Sequence, residues 1–139
     1  MIDVHVVILA AGQGTRMKSA LPKVLHPISG LSLIERVLRT ARTLNPASIT
    51  LIVGHRHELV RQHLRGQPDL HFVLQEPQLG TAHALQQAEA ALSGKQGMLI
   101  LLSGDVPLLS AVTLERLRRA HADAGAAATV VSAMVDRPY

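Results

Sequence analysis

The stretch VHVVILAAGQGTRMKSALPK, residues 4–23, decides the reading of the fold, because an apolar run passes directly into a glycine loop. Val4 to Leu9 has the nearly continuous Val, Ile and Leu content of a strand buried on both faces, the habit of parallel sheets. The loop after it matches neither of the two best-known phosphate loops. A dinucleotide loop has glycine at the sixth place of G-x-G-x-x-G, and counting from Gly12 that place is Met17. A Walker A loop follows its last glycine with lysine and then serine or threonine, whereas Gly14 is followed by Thr15 and Arg16.

Working outward, apolar runs recur at Ile49 to Val53, His71 to Leu74, Met98 to Leu102 and Ala127 to Val135, each expected to be a strand. Helical spacing fills the intervals. Leu33, Ile34, Val37, Leu38, Ala41 and Leu44 form one stripe, and Ser32 with Glu35 has capping-box spacing at its start. Leu59, Val60 and Leu64 form a second stripe, Leu85, Ala88 and Leu92 a third, and Leu114, Leu117 and Ala120 a fourth capped by Ser110. Strand alternating with helix predicts an α/β fold, a doubly wound and mainly parallel sheet with helices on both faces. One domain is expected over residues 1–139, ending abruptly after its fifth strand. Ligands of such sheets bind beyond the carboxyl ends of the strands. The first loop, residues 10–31, is long for a strand-to-helix link, and long loops in compact domains are usually functional.

Composition narrows the function classes. With 47% hydrophobic residues in 139, the chain is large enough for one core. One Phe, one Tyr and no Trp leave almost no rings for bases to stack on, which argues against a single-strand nucleic-acid binder. The formal charge of +4 is scattered along the chain with no dense basic block, so a small polyanionic substrate fits it as well as nucleic acid does. Absence of cysteine excludes disulfides and thiolate metal sites and suits a reducing cytoplasm. No apolar run approaches the roughly 20 residues of a membrane helix, and nothing resembles a signal peptide, so no membrane partner is expected.

Three loops carry candidate chemistry. Gly12 and Gly14 let backbone N–H groups approach phosphate oxygens, Arg16 adds a planar fork of donors and Lys23 a point charge; the alternative is an exposed loop with solvated cations. In LLSGDVPLL, residues 101–109, Asp105 stands at a strand end where a carboxylate can hold magnesium; the alternative is a turn aspartate in a Gly-Asp pair. In LQEPQLGTAHA, residues 74–84, Gln75 offers the donor and acceptor that a pyrimidine edge requires, Gly80 lets backbone approach the base, and Thr81 either bonds the base or caps the helix. The eight histidines show no H-E-x-x-H and are read as mostly surface or half-buried residues, and Met17 and Met134 as packing.

LAAGQGTRMKSALPKVLHPISG, QEPQLGTAHA and GDVPLL, in that order, resemble the sugar-phosphate nucleotidyltransferases, whose first loop follows L-A-A-G-x-G-T-R-M with a downstream P-K. The nearer likeness is to the uridylyltransferase domains that act on N-acetylglucosamine 1-phosphate and form the amino-terminal part of a bifunctional bacterial enzyme. The likeness implies a Rossmann-like fold of the nucleotide-diphospho-sugar transferase type. It implies nucleotide binding by Leu9, Ala10, Ala11, Gly12, Gly14 and Thr15, catalysis by Arg16 and Lys23, and uracil recognition by Gln75, Gln78, Gly80 and Thr81. Ser103 and Gly104 then lie on the sugar-phosphate side and Asp105 is the Mg2+ ligand. The partners it implies are UTP and a sugar 1-phosphate, and it leaves open a homo-oligomer of the full-length protein. Two departures accompany it. Ser103 stands where the family often has tyrosine, and the chain stops at DRPY, where the family continues into a Gly-Tyr-Gly-Arg segment and most of its sugar-binding residues. The expectation is therefore the nucleotide-binding part of the domain, with transfer to another base or sugar phosphate, or a noncatalytic nucleotide-binding module, as the competing readings.

Overall fold

The computed structural model describes residues 2–137. Its centre is a four-stranded parallel sheet of β1 (Val4–Ala10), β4 (Ser48–Val53), β5 (Leu70–Leu74) and β6 (Met98–Ser103). Two short strands, β2 (Pro27–Ile28) and β3 (Leu31–Ser32), pair antiparallel in a separate ribbon. The helices are α1 (Leu33–Arg42), α2 (His57–His63), α3 (Thr81–Gln87), α4 (Glu89–Leu92) and α5 (Ala111–Ala124). Among the described residues no helix is long and apolar enough to cross a membrane.

The sheet order is β5-β4-β1-β6. β1 pairs with β4 from His5↔Ser48 to Ala10↔Val53, and on its other side with β6 from Val4↔Met98 to Leu9↔Ser103. The chain thus winds outward from β1 through β4 to β5 and then returns across the sheet to β6. That reversal opens a crevice between the carboxyl ends of β1 and β6, the switch point where ligands of open α/β sheets bind.

Both faces of the sheet are covered because β1 and β4 are apolar on both sides. Val6, Ile8, Leu51 and Val53 face Ile34 and Leu38 of α1, Val60 and Leu64 around α2, and Leu114 of α5 in one core. Val7 and Ile52 pack with Ala84 and Ala88 in the opposite one. Residues such as Ile8 and Leu51 are fully buried, each contributing about 1.5–3 kcal/mol of apolar transfer. β6 is covered on one face only, with Ile100 and Leu102 buried while Leu99 and Leu101 are exposed.

Local chemistry sets the element ends. Ser32 caps α1 in a full capping box, its Oγ accepting from the Glu35 backbone N–H while the Glu35 carboxylate accepts from the Ser32 N–H. The Ser32 hydroxyl, then its backbone N–H, and the neighbouring His63 hold the Glu35 carboxyl down at about 2. Ser110 Oγ accepts from Thr113 N–H at the start of α5. The long first loop is built from two 3-10 turns, Thr15–Met17 and Lys23–Leu25, followed by the β2–β3 ribbon.

Several expectations are corrected. Residues 127–135 do not form a fifth strand; Ala127 to Val131 line a groove beside β6 without ladder bonds. β-branched content favours an extended backbone, but a strand exists only where its N–H and C=O groups meet a neighbour. The third helical stripe is divided at Ala88 into α3 and α4. Met17 is 43% exposed and Met134 fully exposed, so neither fills a core. His5 is buried within β1, an exception among histidines read as mostly surface or half-buried, with Nδ1 on Ser48 Oγ and Nε2 on the Gln96 carbonyl.

Candidate functional site

The switch point brings the first loop and the end of β6 together through a close backbone approach. Gly104 N–H donates to the Leu9 carbonyl at 2.9 Å, extending the β1–β6 ladder by one step. A Cβ on Gly104 would lie 2.9 Å from that same carbonyl oxygen and 3.2 Å from side-chain atoms of Ile34 and Val24, so glycine alone fits without displacing its neighbours. The consequence is positional, since Asp105 is delivered to the edge of β1.

There Lys23 meets it. Val24 and Leu25 are buried and fix the second 3-10 turn to the core, which leaves Lys23 at the turn's outer edge. Its Nζ donates to Asp105 Oδ2 at 2.6 Å. Both side chains are more than a third exposed, so the pair contributes about 0–1 kcal/mol to stability and is better understood as a positioned charge pair than as a structural brace. Gly14 makes this arrangement possible: at φ +61 it occupies the left-handed region, and a Cβ there would stand 2.8 Å from Lys23 Cβ. Gly12 is different, because a Cβ would meet no atom within 4 Å. Packing does not demand glycine at that position, and the space beside its backbone is open to a ligand.

The loop after β5 approaches from the other side. Gln75 is buried; its backbone N–H extends the ladder to the Val53 carbonyl, and its side-chain amide donates to the Gly80 carbonyl at 3.0 Å and to His83 Nδ1 at 3.1 Å. Gln78 reaches the end of β4: a Cβ on Gly54 would collide with the Gln78 amide and stand 2.8 Å from the Ala11 carbonyl. The ends of β1, β4 and β5 therefore converge through Ala11, Gly54 and Gln78.

The structure thus brings together Lys23 with Asp105 and Gln75 with Gly80, and sets Ala11 and Gln78 on either side of Gly54. Arg16 lies in the exposed first 3-10 turn and makes no salt bridge among the described residues. Ser103 ends β6 with its side chain exposed, and Thr81 begins α3 behind a Gly80 cap, with no side-chain capping bond of its own. Three neighbours of the site escaped the sequence reading. Gly54 follows β4 as Gly104 follows β6, and the same rule of glycine at a strand's carboxyl end would have found it. Arg56, at φ +55, donates to the Ala20 carbonyl of the first loop, and His83 braces Gln75; neither has a local sequence signal, because each contact joins separate loops.

Among the described residues no three or more His, Asp or Glu side chains gather in metal-binding geometry. A lone aspartate oxygen donor at a switch point nevertheless fits a hard divalent cation of the magnesium type, which takes one or two carboxylates and completes its sphere with water and phosphate oxygens.

The family model of the MobA-like NTP transferase domain matches residues 6–138. The Bifunctional protein GlmU of Synechococcus sp. (strain CC9311) is 54% identical over 133 residues, which are 96% of this chain and 29% of that protein. The protein of the same name from Listeria monocytogenes serotype 4a (strain HCC23) is 48% identical over 134 residues, again 96% of this chain and 29% of that protein. The chain spans about three tenths of the length of these curated relatives. Among solved structures, a nucleotidyl transferase from Methanothermobacter thermautotroptrophicus superposes with a TM-score of 0.71 at 25% identity, covering 84% of this chain and 57% of that one. Rv0371C of Mycobacterium tuberculosis H37Rv, solved in complex with manganese, gives 0.69 at 25% identity, covering 88% and 59%.

Proposed function

The chain belongs to the MobA-like NTP transferase domain family, and from that premise we propose that it carries the nucleotide-binding half of a uridylyltransferase that makes UDP-N-acetylglucosamine and pyrophosphate from UTP and N-acetylglucosamine 1-phosphate. The observation that carries the reading is the Lys23–Asp105 pair, 2.6 Å apart where the glycine loop meets the end of β6. A mobile-tipped ammonium and a hard-oxygen carboxylate side by side are what transfer between phosphates needs: one to neutralise phosphate oxygens, the other to hold a divalent cation against them.

In the proposed step an oxygen of the sugar 1-phosphate attacks the α-phosphorus of UTP in line. The new P–O bond forms as the bond to the β-phosphate bridging oxygen breaks, and that oxygen leaves with pyrophosphate. No side-chain nucleophile takes part. The first-loop backbone from Leu9 through Ala10, Ala11, Gly12 and Gly14 to Thr15 holds the triphosphate, Arg16 and Lys23 neutralise the charge that builds on it, and Gln75, Gln78, Gly80 and Thr81 surround the base. Ser103 and Gly104 border the acceptor sugar phosphate. Asp105 would hold Mg2+, which supplies Lewis-acid neutralisation of phosphate oxygens when bound.

The test is pyrophosphate release from UTP and N-acetylglucosamine 1-phosphate by this chain extended to the length of its relatives. Arg16→Ala and Lys23→Ala are each expected to lower turnover by about 100-fold or more, the scale of losing one preorganised charge-stabilising donor, with unfolding curves unchanged. Wild-type rates in either variant would contradict the roles assigned here.

A further inference from the structure

We infer that His83 is a positioning residue that, together with the Gly80 carbonyl, holds the amide of Gln75 in the one orientation that presents an oxygen, and not an N–H, to the base. The inference rests on the proposed nucleotide site and adds to it the device that sets base selectivity.

Three contacts make the argument. Gln75 Nε2 lies 3.0 Å from the Gly80 carbonyl and 3.1 Å from His83 Nδ1. On the far side of the ring, Gln87 Nε2 lies 3.1 Å from His83 Nε2 and 3.3 Å from the His83 carbonyl. An amide nitrogen only donates, so as placed both ring nitrogens are asked to accept. A neutral imidazole has one N–H and one acceptor, and an imidazolium has none to spare. One glutamine must therefore turn its amide round, since which end is oxygen and which nitrogen follows from the bonding network.

Position decides which one turns. If Gln75 turned, its oxygen would face the Gly80 carbonyl at 3.0 Å inside a nearly closed environment, where an acceptor facing an acceptor has no water to relieve it. If Gln87 turned, only a long 3.3 Å bond on a half-exposed side chain would be lost, and solvent can replace it. Gln75 therefore keeps its orientation, His83 accepts at Nδ1, and its Nε2 carries the hydrogen that Gln87 Oε1 accepts.

Both N–H bonds of Gln75 are then spent on protein acceptors, and no protein donor meets its Oε1 among the described residues. The atom left for a ligand is an acceptor. It complements a ring N–H beside a carbonyl, as in uracil, and opposes the bare ring nitrogen at the same place in cytosine. Without His83 Nδ1, one Gln75 N–H loses its partner and the Gly80 carbonyl alone opposes a turn of the amide, so the hold on its orientation is weaker and the discrimination between the two bases falls.

Two measurements test this. Long-range 1H–15N NMR of the 139-residue chain at neutral pH should show His83 protonated at Nε2 and bare at Nδ1; protonation at Nδ1 overturns the lock whether or not the chain binds nucleotide. Calorimetric titration with UTP and CTP should then show the preference for UTP falling by about tenfold in His83→Leu, the worth of one well-made hydrogen bond. His83→Asn, whose side-chain oxygen can accept where Nδ1 did, should restore the preference, and Gln87→Ala should leave it intact. Equal weakening of both nucleotides in His83→Leu, or an unchanged ratio, would overturn the positioning role. If the folded wild-type chain bound neither nucleotide, the site assignment would fail on its own, with the tautomer still deciding the lock.

Discussion

At the scale of single residues, the site depends on what two glycines allow their neighbours to do. Gly104 lets the end of β6 come within hydrogen-bond distance of Leu9, and Gly14 lets the loop turn tightly against the Lys23 stem, so that ammonium and carboxylate meet. Gly14→Ala would place a methyl group 2.8 Å from Lys23 Cβ at a φ that alanine adopts only under strain. It should lower stability by about 1–2 kcal/mol and, by displacing Lys23, weaken UTP binding more than that loss explains; urea unfolding and calorimetry on the same sample separate the two effects. Asp105→Asn should abolish any strengthening of nucleotide binding by magnesium while leaving the magnesium-free affinity unchanged or higher, because the loss is of a metal ligand and of a negative charge near phosphate. Gly14, Lys23, Gly104 and Asp105 were singled out in the sequence, Gly104 and Asp105 because they stand just past a strand end and Gly14 and Lys23 because they share the long first loop, and the structure brings them to one edge of the sheet. His83 and Arg56 were not, since their partners, Gln75 and Ala20, are set by how separate loops pack.

At the scale of elements, the most legible feature was the start of α1, where Ser32 and Glu35 stand three apart and the structure forms the full capping box. The same contacts make that helix sensitive to acid. The folded Glu35 carboxyl titrates at about 2 against an ordinary value of 4.5, chiefly through the Ser32 hydroxyl. A depressed folded value means stability that is fully present above about 4.5 and lost as the pH falls toward 2. Ser32→Ala should therefore cost about 1 kcal/mol at neutral pH and flatten the decline in stability across that window, as read by urea unfolding at a series of pH values. An acid limb identical to the wild type would remove Glu35 from the account. The elements that misled are those whose fate depends on a partner. Residues 127–135 have strand composition but no ladder, and the stripe through Ala88 is helical in spacing yet divided in space.

At the scale of the whole molecule, alternation of strand and helix was enough to give a mainly parallel sheet with helices on both faces, because parallel strands buried on both sides leave a strong apolar signal; the strand order, and with it the switch point, came from the structure. It could not show that β6 would be covered on one face only. Leu99 and Leu101 are exposed there, and Val130, Val131, Met134 and Val135 are exposed in the following segment. Apolar surface of this kind favours self-association. Light scattering of the 139-residue chain should show a mass that rises with concentration, and Leu101→Lys should reduce the rise; a strictly monomeric wild type at high concentration would mean that the surface is too well solvated to associate.

The central claim, that the first loop together with the loops after β5 and β6 forms a uridine nucleotide site, is tested most directly by calorimetric titration of the 139-residue chain with UTP, CTP, dTTP and ATP, each with and without magnesium. The account predicts selective binding of UTP that magnesium strengthens. Absence of nucleotide binding by a chain shown to be folded, or binding indifferent to the base and to the metal, would contradict it.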